Sequence, residues 1–207
     1  PARPAAGSVA PAAPDARAAG ARFAPVDATA LIRGMFLGAG SAPAPGLGTL
    51  PPDWLDLPLL ASALRRVLAH GDAALALQYG QPAGDSRLRE ALAVRLGDLG
   101  VPATAAQIVT ATGATHALDI VSRALLSPGD AVLVDEPGWA VEYARLSQLG
   151  MRLLPVPRGA QGPDLSVMAT LAREHRPRLY VTVSVLHNPT GHCLTAGQAH
   201  QVLRLAE

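Results

Sequence analysis

Apolar positions along this chain switch between two spacings. From residue 59 to 68, Leu59, Leu60, Ala63, Leu64, Val67 and Leu68 recur on one face of a 3.6-residue turn, and Gly71 stands where a glycine closes such a helix. Beyond Tyr79 helices and strands take turns. Asp85 is placed to cap a helix whose core face is Leu88, Ala91, Leu92, Leu96 and Leu99, ended by Gly100. Residues 108–110 read as a short strand. A helix follows with Ala114, Ala117, Leu118, Val121 and Leu125 on one face, stopped by Ser127-Pro128-Gly129.

The same alternation continues to the last residue. Residues 131–134 read as a buried strand, 139–149 as a helix, 151–156 as a strand, 164–175 as an Asp-capped helix and 179–185 as a β-branched strand. Thr195 and Gln198 form a capping box that opens a last helix carrying Ala199, Val202, Leu203 and Ala206. Strands and helices taking turns at this spacing predict an α/β three-layer sandwich with a mostly parallel sheet. Sheets of this kind bind ligands at the carboxyl ends of their strands.

The amino-terminal part lacks either period. Of the first 25 residues 16 are Ala or Pro, which leaves no face to bury, and residues 1–30 read as a linker, with a disordered tail the equal alternative. Residues 31–56, rich in Gly and Pro around Trp54, read as an extended stretch, so that 31–78 form an extended segment plus one helix. The sequence opens on Pro1 and stops at Glu207 inside a helical pattern, so both ends read as cut.

Composition narrows the partners. At 49% hydrophobic residues the chain has enough apolar surface for the core of one ordinary domain. Its 17 basic residues, all arginine, nearly cancel 16 acidic ones, so it carries no basic patch for nucleic acid. The lone Cys193 makes no internal disulfide, and neither a signal peptide nor a long apolar span is present, which points to the cytoplasm and away from membranes.

Three strand ends carry candidate chemistry. Thr110-Ala111-Thr112-Gly113-Ala114-Thr115 is a small-residue strand-to-helix turn whose amides and helix dipole suit a phosphate, with the Thr112 and Thr115 hydroxyls as further donors. Taken alone it is equally an ordinary turn with a threonine cap. Glu136-Pro137-Gly138-Trp139 sets a large ring where a flat heteroaromatic would stack, or where a packing anchor would sit. Leu186-His187-Asn188-Pro189-Thr190-Gly191 is a turn that projects the Asn188 amide towards the crevice.

The three motifs in this order resemble fold-type-I enzymes of the class I/II aminotransferase family, which use pyridoxal 5'-phosphate. The resemblance implies that Thr112, Gly113 and Ala114, with help from Thr115, hold the cofactor phosphate, that Trp139 stacks on its ring and that Asn188 bonds its 3-oxygen. It also implies that Tyr79, in Gln78-Tyr79-Gly80, reaches the phosphate of the neighbouring subunit in a homodimer. Residues 79–207 would then be the first half of the cofactor-binding domain. The family anchors its cofactor on a lysine, and this chain contains none, so no catalytic residue is assigned and the segment by itself is expected to be inert.

A narrower resemblance covers nearly the whole chain. The Pro/Ala-rich opening, Leu47-Gly48-Thr49-Leu50-Pro51-Pro52-Asp53-Trp54, Gly113-Ala114-Thr115-His116-Ala117-Leu118-Asp119, Gly162-Pro163-Asp164-Leu165 and Ser184-Val185-Leu186-His187-Asn188-Pro189 look like MocR-type regulators of the GntR superfamily. These join a winged helix-turn-helix to an aminotransferase-like domain. The implied ligand is a small amino compound, and DNA would be bound only through a domain preceding Pro1. The rivals are a freestanding aminotransferase and an interaction domain without cofactor.

Other signals weigh less. Gly38-Ala39-Gly40 and Gly46-Leu47-Gly48 lack the strand and helix of a dinucleotide fingerprint. His187, His192, Cys193 and His200 match no common zinc spacing, so no metal is expected. Cys193 reads as an idle thiol, and His116 with Asp119 as a solvated helix pair rather than a catalytic one.

Overall fold

The computed structural model describes residues 27–37, 48, 50–69 and 77–207. Most of the expected linker, Gly38, Gly40, Gly46 and Gly71 therefore lie outside the described residues.

Among the described residues two helices come first. Helix α1 spans Ala28–Leu37, where an extended stretch is expected from the sequence. Asp27 explains the difference, because its carboxylate accepts the Ala30 amide at 3.0 Å and nucleates the first turn, while the dense Gly and Pro positions begin only after Leu37. A single 3₁₀ turn at Pro52–Trp54 leads into α2, Leu57–Ala69, the amphipathic helix read from the spacing. Its apolar side is not a core face: Leu59, Leu60, Leu64, Val67 and Leu68 are all exposed.

Helix α3, Ser86–Asp98, starts on Asp85, which accepts the Arg87 and Leu88 amides as expected. The face read as core is only half-covered, with Leu88 and Leu99 exposed. Residues 108–110 form no strand; Ile108 is extended, and the stretch is tied down by the Ile108 amide to the Ala105 carbonyl and the Thr110 amide to the Ala83 carbonyl rather than by a ladder. Helix α4, Ala114–Leu125, buries Ser122 rather than the expected apolar stripe, and Val121 and Leu125 stay exposed.

The sheet begins at β1, Ala131–Glu136. It is followed by α5 (Ala140–Gln148), β2 (Arg152–Gly159), a two-residue β3 (Gly162–Pro163), α6 (Leu165–His175), β4 (Leu179–Val181) and α7 (Ala196–Ala206). The order across the sheet is β3-β2-β1-β4, parallel except for the β2–β3 hairpin. Strand β4 is shorter than the 179–185 run, since its ladder to β1 ends at Val134↔Val181.

Strand β1 is covered on both sides, and its side chains divide by the two-residue period. Ala131 and Leu133 join Leu154, Val156, Met168 and Val202 on the face covered by α6 and α7, whereas Val132 and Val134 join Tyr143, Leu146 and Met151 under α5. Helices thus sandwich a mostly parallel sheet, the three-layer arrangement expected. Burying a side chain such as Met168, 2% exposed, contributes roughly 1.5–3 kcal/mol. Asp164 and the Thr195–Gln198 capping box fix the starts of α6 and α7 as read from the sequence.

Candidate functional site

The even face of β1 carries Val132 and Val134 and the odd face runs out at Asp135, the last fully enclosed residue before the chain turns. A carboxylate 3% exposed needs its oxygens satisfied. Oδ2 accepts Arg158 Nη1 at 2.8 Å and the Thr182 hydroxyl at 2.7 Å, and His187 Nε2 lies 3.3 Å from it. Oδ1 accepts the Tyr180 hydroxyl, and the main-chain oxygen of Asp135 accepts that of Tyr143. Burial is the main reason both phenols resist ionisation, with the negative charges of Glu136 and Asp135 adding to it at Tyr143 and the bond to Asp135 at Tyr180.

Arg158 ties the strand ends together. Its side chain is fully buried, and besides Asp135 it donates from Nη1 to Thr182 Oγ1 at 2.7 Å and from Nη2 to the Val183 carbonyl at 2.9 Å. Its Nε is buried without a hydrogen-bond partner. One guanidinium on β2 therefore grips β1 and the segment leaving β4, a fork geometry that lysine lacks.

Above this cluster lies a cavity of about 110 Å³ lined by Asp135, Gly138, Trp139, Thr182, His187 and Asn188, among others. Trp139 is the N-cap of α5 and Asn188 follows the buried His187, so β1 and the segment after β4 deliver them to one pocket. Gly138 allows the approach: a Cβ there would collide with the Tyr143 hydroxyl and sit 2.7 Å from the Asp135 carbonyl oxygen.

A second, open cavity of about 540 Å³ is lined by Thr112, Gly113, Ala114, Thr115, His116, Asp119 and Arg145. It adjoins the first along the seam of α4 and α5, because Leu118 and Glu142 line one cavity while Asp119 and Arg145 line the other. Gly113 is the N-cap of α4 and no side chain caps that end, so first-turn amides face the opening. The Thr112 hydroxyl lies 3.0 Å from His116 Nδ1, which also accepts the Thr112 amide at 3.3 Å.

Arg145 welds the two helices. It bonds both Glu142 oxygens, Ser122 Oγ at 2.9 Å and Asp119 at 3.3 Å. The bond to Glu142 is the first reason the guanidinium holds its proton more tightly than usual. Asp119 in turn is held below the ordinary carboxylate range, chiefly by Arg123 at 2.7 Å. His116 and Asp119 therefore face other partners, Thr112 and the two arginines.

These residues suit a flat, phosphate-bearing aromatic. An uncapped helix start offers amides to an anion, and a ring and an amide donor meet one pocket away. Of the residues singled out in the sequence, Thr112, Gly113, Ala114 and Thr115 line the open cavity, and Trp139 and Asn188 the smaller one. Tyr79 lines neither and is wholly exposed. Sequence reasoning missed Asp135, Arg158, Thr182, Tyr180 and Arg145. Asp135 gave a signal, as an acid directly following the apolar run of residues 131–134.

The chain belongs to the aminotransferase class I and II family, whose profile matches residues 48–207. It is 32% identical over 160 residues to the 2-aminoadipate transaminase of Thermus thermophilus, covering 76% of this chain and 36% of that protein. It is 25% identical over 162 residues to the uncharacterized HTH-type transcriptional regulator YisV of Bacillus subtilis, covering 78% of this chain and 33% of the regulator. Among solved structures, the α-aminoadipate aminotransferase LysN of Thermus thermophilus, complexed with N-(5'-phosphopyridoxyl)-L-leucine, superposes with a TM-score of 0.70 at 27% identity, over 87% of this chain and 43% of that one. The chain thus spans about a third of the length of these curated relatives. Among the described residues no helix is long and apolar enough to cross a membrane.

Proposed function

We propose that this chain is the first half of a domain that binds pyridoxal 5'-phosphate, and that the domain senses an amino compound within a MocR-type transcriptional regulator. The observation that carries the cofactor reading is the meeting of an uncapped helix start, the Trp139 ring and the Asn188 amide on two adjoining cavities. When bound, the cofactor supplies an electron sink for bonds to the amino carbon of its ligand. The first-turn amides of α4 hold its phosphate, with Thr115 as a further donor; Trp139 orients the ring and screens it from water; Asn188 donates to the ring oxygen. The amine that anchors the cofactor is not among these residues, as the chain has no lysine.

The regulator reading is supported by the HTH-type regulators among the relatives and by the Ala/Pro-rich opening, which suits a tether to a DNA-binding domain. A freestanding aminotransferase is the second reading, favoured by the 32% identity to a transaminase. Tyr79, exposed on its own chain, suits a role at the phosphate of a neighbouring subunit in a homodimer.

The full-length protein mixed with pyridoxal phosphate is expected to gain a visible absorption band, and Asn188→Ala to shift it. Protein that stays colourless and shows no affinity for the cofactor overturns the reading. Specific binding to its own upstream DNA separates regulator from freestanding enzyme.

A further inference from the structure

We infer that His187 is a positioning residue for Asn188, and that the buried Asp135–Arg158–Thr182 cluster beneath it selects the tautomer with which it does so. The inference rests on the reading of Asn188 as a cofactor contact, but its structural half stands on bonds within this chain.

His187 is 2% exposed and touches three layers of the site at once. Its main chain closes the Asn188 turn from both sides: its amide donates to the His192 carbonyl at 2.9 Å, and its carbonyl accepts the Gly191 amide at 2.6 Å. Its ring spans the turn and the sheet, with Nδ1 2.9 Å from Thr190 Oγ1 and Nε2 3.3 Å from Asp135 Oδ2. Burial, helped by the Arg158 charge, keeps the imidazole neutral against the opposing pull of Asp135. A neutral ring has one proton to place.

The neighbours decide where it goes. Asp135 Oδ2 carries negative charge 3.3 Å from Nε2, so the proton is favoured on Nε2, and Nδ1 is left as an acceptor. Thr190 agrees, because its hydroxyl already receives the His192 amide at 3.4 Å and has its single proton left to donate to Nδ1. The other tautomer would turn that proton away from the ring and set a bare lone pair against the carboxylate. Arg158 keeps Asp135 in place and Thr182 fixes the orientation of Oδ2, so the geometry of the Asn188 turn is set from the sheet floor up. Asn188 itself is exposed and relies on this underside for its aim.

The test uses the full-length protein labelled with ¹⁵N. At neutral pH the His187 ring, identified by its loss in His187→Gln, is expected to show a protonated Nε2 and a bare Nδ1; protonated Nδ1 overturns the tautomer assignment. The Asn188 side-chain amide is expected to give one sharp signal pair in the wild type and a shifted or broadened pair in His187→Ala, with Thr190→Val resembling the alanine variant and Thr190→Ser resembling wild type. Identical Asn188 signals in all four sink the proposal whether or not cofactor binds. With cofactor, His187→Ala is expected to weaken pyridoxal phosphate binding about tenfold, but less than about twofold when Asn188 is already alanine. Fully additive losses would show that His187 acts by another route. A wild-type protein that ignores the cofactor overturns the proposed function alone, since the amide and tautomer signals are still read.

Discussion

Replacing Arg158 by methionine keeps most of the side chain's volume and removes its charge from a site with no access to water. Breaking a buried ion pair from one side costs about 3–5 kcal/mol, because the other charge stays behind. Two terms adjust that figure here. The Val183 carbonyl loses its donor, adding about 1 kcal/mol. Asp135 keeps the Thr182 and Tyr180 hydroxyls and the neighbouring His187 ring, which compensates part of the loss and points to the lower end. We therefore expect about 3 kcal/mol, a large share of the ~5–15 kcal/mol that holds a domain together. Urea unfolding followed by tryptophan fluorescence, to which Trp139 on the same cavity contributes, should show a lower midpoint at unchanged slope. The second half of the experiment is Arg158→Met combined with Asp135→Asn, which removes both charges and should recover about half of the loss or more. A single-variant cost below about 1 kcal/mol, or a double variant as costly as the sum of the two singles, would refute the view that this pair organises the strand ends.

Two further outcomes follow from the same geometry. Gly138→Ala has nowhere to put its methyl group between the Tyr143 hydroxyl and the Asp135 carbonyl, so it should destabilise by about 1–3 kcal/mol and weaken pyridoxal phosphate binding through displacement of Trp139; unchanged melting and binding would contradict the packing. His187 has its folded pKa lowered by burial first and Arg158 second, so the unfolded chain, with an ordinary value of about 6.5, binds its proton earlier as pH falls. The stability it contributes is full above about pH 7 and declines as pH drops through about 6.5 towards the folded value. His187→Gln should flatten that decline in a series of urea midpoints, and an undiminished slope would exclude this histidine as its source. Asp85 and Asp164, held low chiefly by the Leu88 amide and the Ser166 hydroxyl, act only below about pH 4 and leave the window clear.

What was legible in the sequence follows how local each signal is. Asp85, Asp164 and the Thr195–Gln198 box mark helix starts within four residues, and the structure uses all three. The run of residues 131–134 is buried on both faces, as an unbroken apolar stretch between turn signals implies. Helical faces were harder to place. The stripes on α2 and α4 are real periodicities, but spacing says which residues share a side and not what lies against it: here the α2 stripe stays exposed, and on α4 Ala117 and Leu118 are half-buried while Val121 and Leu125 stay exposed. Helix α1 was hidden because Gly and Pro just beyond it dominate the composition, while its start depends on one aspartate. The polar cluster was out of reach for a different reason: Arg158 and Thr182 reach Asp135 across 23 and 47 positions, and no local pattern announces a pairing over such separations.

Strand β1 shares both edges with neighbours and both faces with helices, so the carboxylate at its tip rides on the stiffest beam of the molecule. The loops that feed β1, β2 and β4 from residues 126–130, 149–151 and 176–178 lie at the opposite rim. Changes of length there would be felt as altered solubility or melting, while the spacing between ring, amide and anion cradle passed through unaltered. The domain is thus free to drift on one rim and obliged to stay put on the other.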